Sequence, residues 1–336
     1  MVLDDKVTRY TFTIAIPTYN RCEYLNNNLK RVIPQVLKHR NEVKLLISDN
    51  CSTDATRSVV ESFIHDYPDI IQYNCNIENK GYLYNFKKCV DLSNSEFICL
   101  LGDDDEVAIG YIDTVLNILK NNRDIGLLHY DFYFCNPQNR QLVNFYSRRK
   151  FRQMLDIYDD SRDFLLEFLN GPSFMSSVIF KKEIWYKGVG LFEDNCFGYE
   201  WLMNIYAGLP GYKCAFYSFP IVMQYNSGIN AYSQWWPKYS IIGMSRVFEN
   251  LEKLYPGIYA MWQKVQKHNP RVYDAIIKIG FYKHLYIGMN SIFIHYLYSC
   301  LQRGLCILVF ISPRFMSQYL YLPLCKIYAL LLKKLY

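Results

Sequence analysis

Four short apolar runs, each stopped by a polar loop and separated from the next by helically spaced sequence, leave this chain few folds to adopt. The runs are 12–17, 43–48, 70–73 and 97–101, and the loops that follow them are Thr18-Tyr19-Asn20-Arg21, Asp49-Asn50, Asn79-Lys80-Gly81 and Asp103-Asp104-Asp105. Apolar runs of this length bounded by turn residues read as buried strands, and 24–37, 55–67 and 82–92 carry helical spacing. Ser52, Thr53 and Asp54 are cap candidates for the second helix. The order β-α-β-α-β-α-β, without Gly-rich hairpin signals, predicts an α/β fold with a mostly parallel sheet and helices on both faces. In such sheets ligands bind beyond the C-terminal ends of the strands, which is where all four loops fall.

The three aspartates are the sharpest chemical signal. Adjacent carboxylates repel unless something positive sits among them, and a hard divalent cation shared with a substrate diphosphate meets that need. A solvated turn capping the next helix is the competing reading of the same residues. Other motifs are absent: there is no G-x-x-x-x-G-K-[ST] loop, and Gly188-x-Gly190 has Glu193 where a dinucleotide fingerprint needs its third glycine.

Charge is uneven along the 336 residues. From Arg246 onward twelve Lys and Arg face three acids, so the overall +6 comes from a basic C-terminal part behind a slightly acidic remainder. That part is also rich in tyrosine and apolar residues, as interfacial segments are, although a helical subdomain buried on the core has the same composition. No apolar stretch reaches the roughly 18 residues of a spanning helix. The eleven cysteines are scattered, with no C-x-x-C pair or zinc spacing, and 1–10 lack the apolar core of a secretory signal. Reduced thiols and a cytoplasmic location are expected.

Strung together, 14–21 (IAIPTYNR), 46–56 (LISDNCSTDAT), 79–81 (NKG) and 100–105 (LGDDD preceded by leucine) resemble family 2 glycosyltransferases over roughly residues 11–225. The resemblance implies a GT-A fold over 1–228, with 229–336 a helical, basic and aromatic membrane-associating region. It further implies an inverting, metal-dependent enzyme that moves one sugar from a nucleotide-sugar donor. Pro17, Tyr19, Asn20, Arg21, Asp49, Asn79, Gly81, Asp103 and Asp104 would hold the donor, with Asp49 reading a uracil or cytosine edge, so that UDP and CDP donors both stand. Asp103 and Asp105 would bind Mn²⁺ or Mg²⁺, Asp105 foremost. The usual family pattern has an acidic residue where this chain has Gly102.

The resemblance places the general base, which takes the acceptor's proton, at Glu200, ahead of Gly211. Tyr199 replaces the usual acidic neighbour, and Glu193 or Asp194 is the substitute. Ser173 to Trp185 resembles the strand and short helix that lead to the acceptor side, with Ser176 and Ser177 either packed or facing the sugar. Within the family the layout resembles bacterial O-antigen enzymes such as abequosyltransferases. That implies a lipid-linked saccharide acceptor and a peripheral position on the cytoplasmic face of the inner membrane. Processive relatives carry Q-x-x-R-W, which Gln234-Trp235-Trp236-Pro237 does not match, so single-sugar transfer is expected. A catalytically silent relative that binds membrane or carbohydrate is the alternative. A nucleotidyltransferase needs a Gly-rich basic loop in place of 17–20, and no nucleic-acid motif is present.

Overall fold

A computed structural model describes residues 10–135, 142–146, 154–168, 175–191, 200–225, 247, 250–258, 260 and 261. The chain divides into two compact units, 1–193 with 200–230, and 194–199 with 231–336.

The first unit opens with β1 (Tyr10–Thr18), α1 (Cys22–Lys38), β2 (Val43–Asp49), α2 (Thr56–Asp66), β3 (Ile71–Cys75), α3 (Tyr82–Leu92) and β4 (Ser95–Leu100). β1 pairs in parallel with β2 and with β4, and β2 in parallel with β3. These are the four strands and three helices expected, with no end displaced by more than two residues. Alternation along β1 sorts its two faces. Phe12, Ile14 and Ile16 join one apolar core with Leu25, Leu29 and Val32 of α1. Thr13 and Ala15 alternate with them on the opposite face of the strand, and α3 packs against β1 and β2. Pro17 is tolerated inside β1 because the last pairing with β4 is at Ala15, so its missing N–H interrupts no ladder there.

The chain then continues through β5 (Glu106–Val107), α4 (Tyr111–Asn121), β6 (Ile125–Cys135), β7 (Leu142–Tyr146), β8 (Leu155–Tyr158) and α5 (Ser161–Phe168). A single 3₁₀ turn at Met175–Ser177 leads into β9 (Val178–Lys181), α6 (Lys182–Gly188), α7 (Glu200–Gly208) and β10 (Lys213–Tyr225). Among the described residues the sheet order is β3-β2-β1-β4-β9-β6-β10-β5, with β7 on β6 and β8 on β10. β9 is antiparallel to both β4 and β6, whereas β10 is parallel to β6. The α/β class and the mostly parallel character of the first half are as expected, and the second half adds antiparallel strands. Leu142–Tyr146, in a stretch whose composition is that of a polar loop, forms β7, antiparallel to β6. Its β-prone residues were obscured by the flanking arginines.

In the second unit, Val247, Leu251, Tyr255 and Ile258 are buried and follow helical spacing. Glu193, Asp194, Tyr199, Trp235, Trp236 and the C-terminal stretch from 262 lie outside the described residues. No helix among the described residues is long and apolar enough to cross a membrane.

Candidate active site

The ends of β1, β2 and β4 are tied together by side chains from the loops that follow them. Register puts Thr18 beside Asp49, and Asp49 beside Cys75. The Thr18 hydroxyl donates to Asp103 Oδ2 at 2.8 Å. Asn20 adopts a left-handed backbone, φ 52°, which asparagine accepts more readily than most residues. It needs that turn to reach the β2 loop: its N–H donates to Ser52 Oγ at 2.8 Å, and its Oδ1 accepts the Thr53 N–H at 2.7 Å. Cys51, φ 66°, is a second strained position two residues after β2. Tyr19 is half-exposed beside this junction.

Arg21 follows at once. One of its terminal nitrogens lies 2.7 Å from Asp103 Oδ1 and 3.0 Å from Asp104 Oδ2. Burial works against the charge of this guanidinium, but Asp103 and Asp104 outweigh it, and its pKa is raised. Asp103 itself is pushed up to about 6, by burial first, with Arg21 opposing and the neighbouring Asp104 adding. Asp105 also lies well above the usual carboxylate range, chiefly through burial and then through Asp104. More negative charge is gathered here than one guanidinium balances.

The two aspartates expected to share a metal have different surroundings. Asp103 turns to Thr18 and Arg21, together with Asp104. Asp105 is bonded instead to Ser176 Oγ at 2.5 Å and, at 3.4 Å, to the Tyr225 N–H. The pair formed at the loop is therefore Asp103 with Asp104. Gly102 accounts for part of this: a Cβ there would fall 2.4 Å from Asp105 Oδ2, so the acidic side chain usual in the family has no room. No group of three or more His, Cys, Asp or Glu among the described residues makes a self-sufficient metal cage.

Asp49 is fully buried. Its Oδ1 accepts the Ser52 N–H at 2.8 Å and its Oδ2 the Tyr73 hydroxyl at 2.9 Å, so its carboxylate already holds the turn after β2. Burial, then Asp49, raises the Tyr73 phenol. Asn79 and Gly81 belong to a neighbouring amide network. Asn50 Nδ2 donates to Asn79 Oδ1 and to the Gly81 carbonyl, and Asn76 Nδ2 donates to Asn50 Oδ1 and Asn85 Oδ1. Gly81, φ 87°, starts α3 with a backbone that a side chain would strain.

The cluster Ser52-Thr53-Asp54 does not cap α2 from the residue before the helix, which is Ala55. Asp54 instead accepts the first N–H of α2, from Thr56 at 3.0 Å, with one oxygen, and the first N–H of α1, from Cys22 at 3.0 Å, with the other. Glu200 is the first residue of α7, and its side chain is outside the described set. α7 is set against α6 by two glycines: a Cβ on Gly188 would fall 1.7 Å from the Asn204 carbonyl oxygen, and one on Gly208 would fall 1.9 Å from that of Ile184.

Sequence reasoning overlooked Asn28. It lies on the apolar stripe of α1 between Leu25 and Leu29, and a polar residue in that position is itself a signal. Its Nδ2 donates to the carbonyls of Gly102 at 3.0 Å and Asp105 at 2.7 Å.

Residues 13–177 match the family described as glycosyl transferase family 2. This segment belongs to glycosyltransferase family 2. The resemblance carried by the four motifs is thereby borne out. The chain is 31% identical over 183 residues to the abequosyltransferase RfbV of Salmonella typhimurium, covering 52% of this chain and 53% of the relative. It is 28% identical over 173 residues to the GalNAc(5)-diNAcBac-PP-undecaprenol beta-1,3-glucosyltransferase of Campylobacter jejuni, covering 51% and 52%. The chain thus spans about half the length of these curated relatives. Among solved structures, the mannosyltransferase PcManGT from Pyrobaculum calidifontis, in complex with GDP-Man and Mn²⁺, superposes with a TM-score of 0.54 at 15% identity, over 94% of this chain and 85% of that one. At that identity the likeness fixes the fold, which is GT-A.

Proposed function

We propose that this chain is an inverting, metal-dependent glycosyltransferase that moves one sugar from a nucleotide-sugar donor to a lipid-linked saccharide in bacterial surface-polysaccharide synthesis. The observation that carries the reading is the carboxylate turn at the end of β4, where Asp103 and Asp104 share Arg21 and negative charge is left in excess. The relatives' names supply the substrate classes: an abequosyltransferase, and a glucosyltransferase named for an undecaprenol-diphosphate-linked glycan.

The donor set fits a hard cation, because Mg²⁺ and Mn²⁺ take one or two carboxylates and complete their shell from a diphosphate and water. Asp104, with Asp103 beside it, would hold the ion; Asp105, already bonded to Ser176 and Tyr225, would not. Such an ion supplies charge neutralisation at a departing diphosphate. Arg21 stands beside the same carboxylates and would move toward the donor phosphates when the cation takes its place. Asn20, Tyr19 and Pro17 shape the loop under the nucleotide, with Asn79 and Gly81 on its other flank.

Asp49 supports the base-binding loop through its hydrogen bonds to Ser52, Tyr73 and Cys75. A carboxylate has about four lone-pair positions, which leaves acceptor capacity for a uracil or cytosine donor group. Glu200, opening α7, is the proposed base: it takes the acceptor hydroxyl's proton while that oxygen attacks the anomeric carbon opposite the leaving diphosphate. The C-terminal basic and aromatic stretch is proposed to hold the enzyme at an anionic membrane surface.

Calorimetric titration with UDP, CDP, GDP and dTDP, each with Mn²⁺ and then with EDTA, tests the donor site. Metal-dependent binding of one nucleotide is expected. Binding that never leads to transfer would favour the silent carbohydrate-binding relative, and no binding at all would overturn the donor-site reading.

A further inference from the structure

We infer that Asp105 is a positioning residue: through Ser176 it locks the Gly102–Asp105 turn in the one orientation that presents Asp103 and Asp104 to Arg21. The inference builds on the proposed donor site and gives the third aspartate a task of its own.

The lock has two sides. On one, Ser176, fully buried, uses its hydroxyl both ways: Oγ accepts the Gly102 N–H at 2.8 Å and donates to Asp105 Oδ2 at 2.5 Å. The Ser176 backbone is itself held, because its carbonyl accepts the Tyr130 hydroxyl at 2.6 Å, and Tyr130 is bonded to Tyr111 at 2.8 Å in the core. On the other side, Asn28 Nδ2 donates to the carbonyls of Gly102 and Asp105, the two ends of the turn. Only the NH₂ end of an amide can serve two carbonyls, so this contact fixes how Asn28 is oriented. Its Oδ1 is buried and has no partner among the described residues. An unsatisfied oxygen is costly, and the two bonds from Nδ2 offset it.

Between these clamps the turn closes with its own Asp105 N–H to Gly102 carbonyl bond at 3.1 Å. Gly102 and Asp105 are matched, since any side chain at 102 would take the space that the Asp105 carboxylate occupies. Asp105 also accepts the N–H of Tyr225, the last residue of β10, which joins the turn to a strand far away in sequence. Asp103 and Asp104, between the fixed ends, have one way to face.

The test uses the full chain and whichever of UDP, CDP, GDP and dTDP the wild type binds, titrated against Mn²⁺. Ser176→Ala and Asp105→Ala are each expected to raise the Mn²⁺ needed for half-saturation about tenfold, the scale seen when groups orienting a metal ligand are removed. The double variant should lose little more than either single one, because both break the same bond. Asp105→Asn keeps an oxygen for Ser176 and should stay within about threefold of wild type, whereas Asp104→Asn should abolish the metal dependence. A role confined to stability would lower the melting temperature and leave the Mn²⁺ requirement unchanged. The proposal is overturned if Asp105→Asn loses metal-dependent binding as completely as Asp104→Asn, or if Ser176→Ala leaves the requirement at the wild-type level. Amide exchange is read on the same samples, with faster exchange expected at Gly102 and Tyr225 in Asp105→Ala. If the wild type binds none of the four nucleotides, the donor reading fails by itself. Exchange at those two amides then decides the lock, and unchanged protection sinks it.

Discussion

Asp103 is where burial and charge compete most directly. Its pKa is about 6 in the folded chain, above its ordinary value of 3.8, because burial outweighs Arg21. A carboxylate raised in this way binds protons more tightly folded than unfolded, so its contribution to stability is complete below its ordinary pKa and is lost as pH rises through about 6. The shift corresponds to roughly 2–3 kcal/mol. In EDTA, therefore, Asp103→Asn should shrink the fall in melting temperature between pH 5 and pH 7, and an unaltered fall would mean that the charge is balanced in some other way. Arg21 acts with the opposite sign. Replacing it with Met leaves two neighbouring carboxylates without their guanidinium, and this should cost about 2 kcal/mol at pH 7, less than for a fully buried pair because Arg21 retains some exposure. The loss should be smaller at pH 5, where Asp103 is mostly protonated; urea unfolding at the two pH values measures both.

Helix ends and helix crossings determine where the loops stand. Asp54 accepts from the first N–H of both α1 and α2, so Asp54→Ala strips two helix N-termini with one change. The expected loss is about 1–2 kcal/mol in urea unfolding, the range for a removed cap, and Asp54→Asn should recover part of it. Gly208→Ala is expected to cost more, because the added carbon meets the backbone of α6 and not a pliable side chain. At this scale the sequence was legible wherever pairing is local and apolar runs are continuous, which is why β1 to β4 and their three helices were found. It was opaque where strands depend on distant partners. β10 contains Pro220 and shifts register against β6, and β5 has two residues, so neither shows a period that could be read. The site divides in the same way. The four loops were visible as motifs, but the choice between Asp104 and Asp105 rests on Ser176, 71 residues further on, and on the room that Gly102 leaves.

Over the whole molecule, the donor-binding and proton-accepting halves of the proposed reaction come from opposite ends of the first unit's sequence. The proposed donor side is drawn from the loops after β1, β2, β3 and β4. The proposed base opens α7, roughly a hundred residues beyond the carboxylate turn, and no hydrogen bond or ion pair among the described residues joins α7 to that turn. The two glycines that seat α7 on α6 fix the helix without reference to the donor. Substrate binding and proton transfer should therefore separate under mutation. Glu200→Gln keeps the size of the side chain and removes its basicity, so metal-dependent nucleotide affinity should stay within about twofold of wild type, while transfer to a polyprenyl-diphosphate-linked oligosaccharide falls by the 10²–10⁴ that general-base catalysis typically contributes. The measurement is single-turnover transfer with the donor whose nucleotide binds, beside calorimetry on the same preparation. Equal losses in affinity and turnover would make Glu200 part of the donor site. Near wild-type turnover would remove it from the chemistry and return the search to Glu193 and Asp194, on the segment that precedes α7.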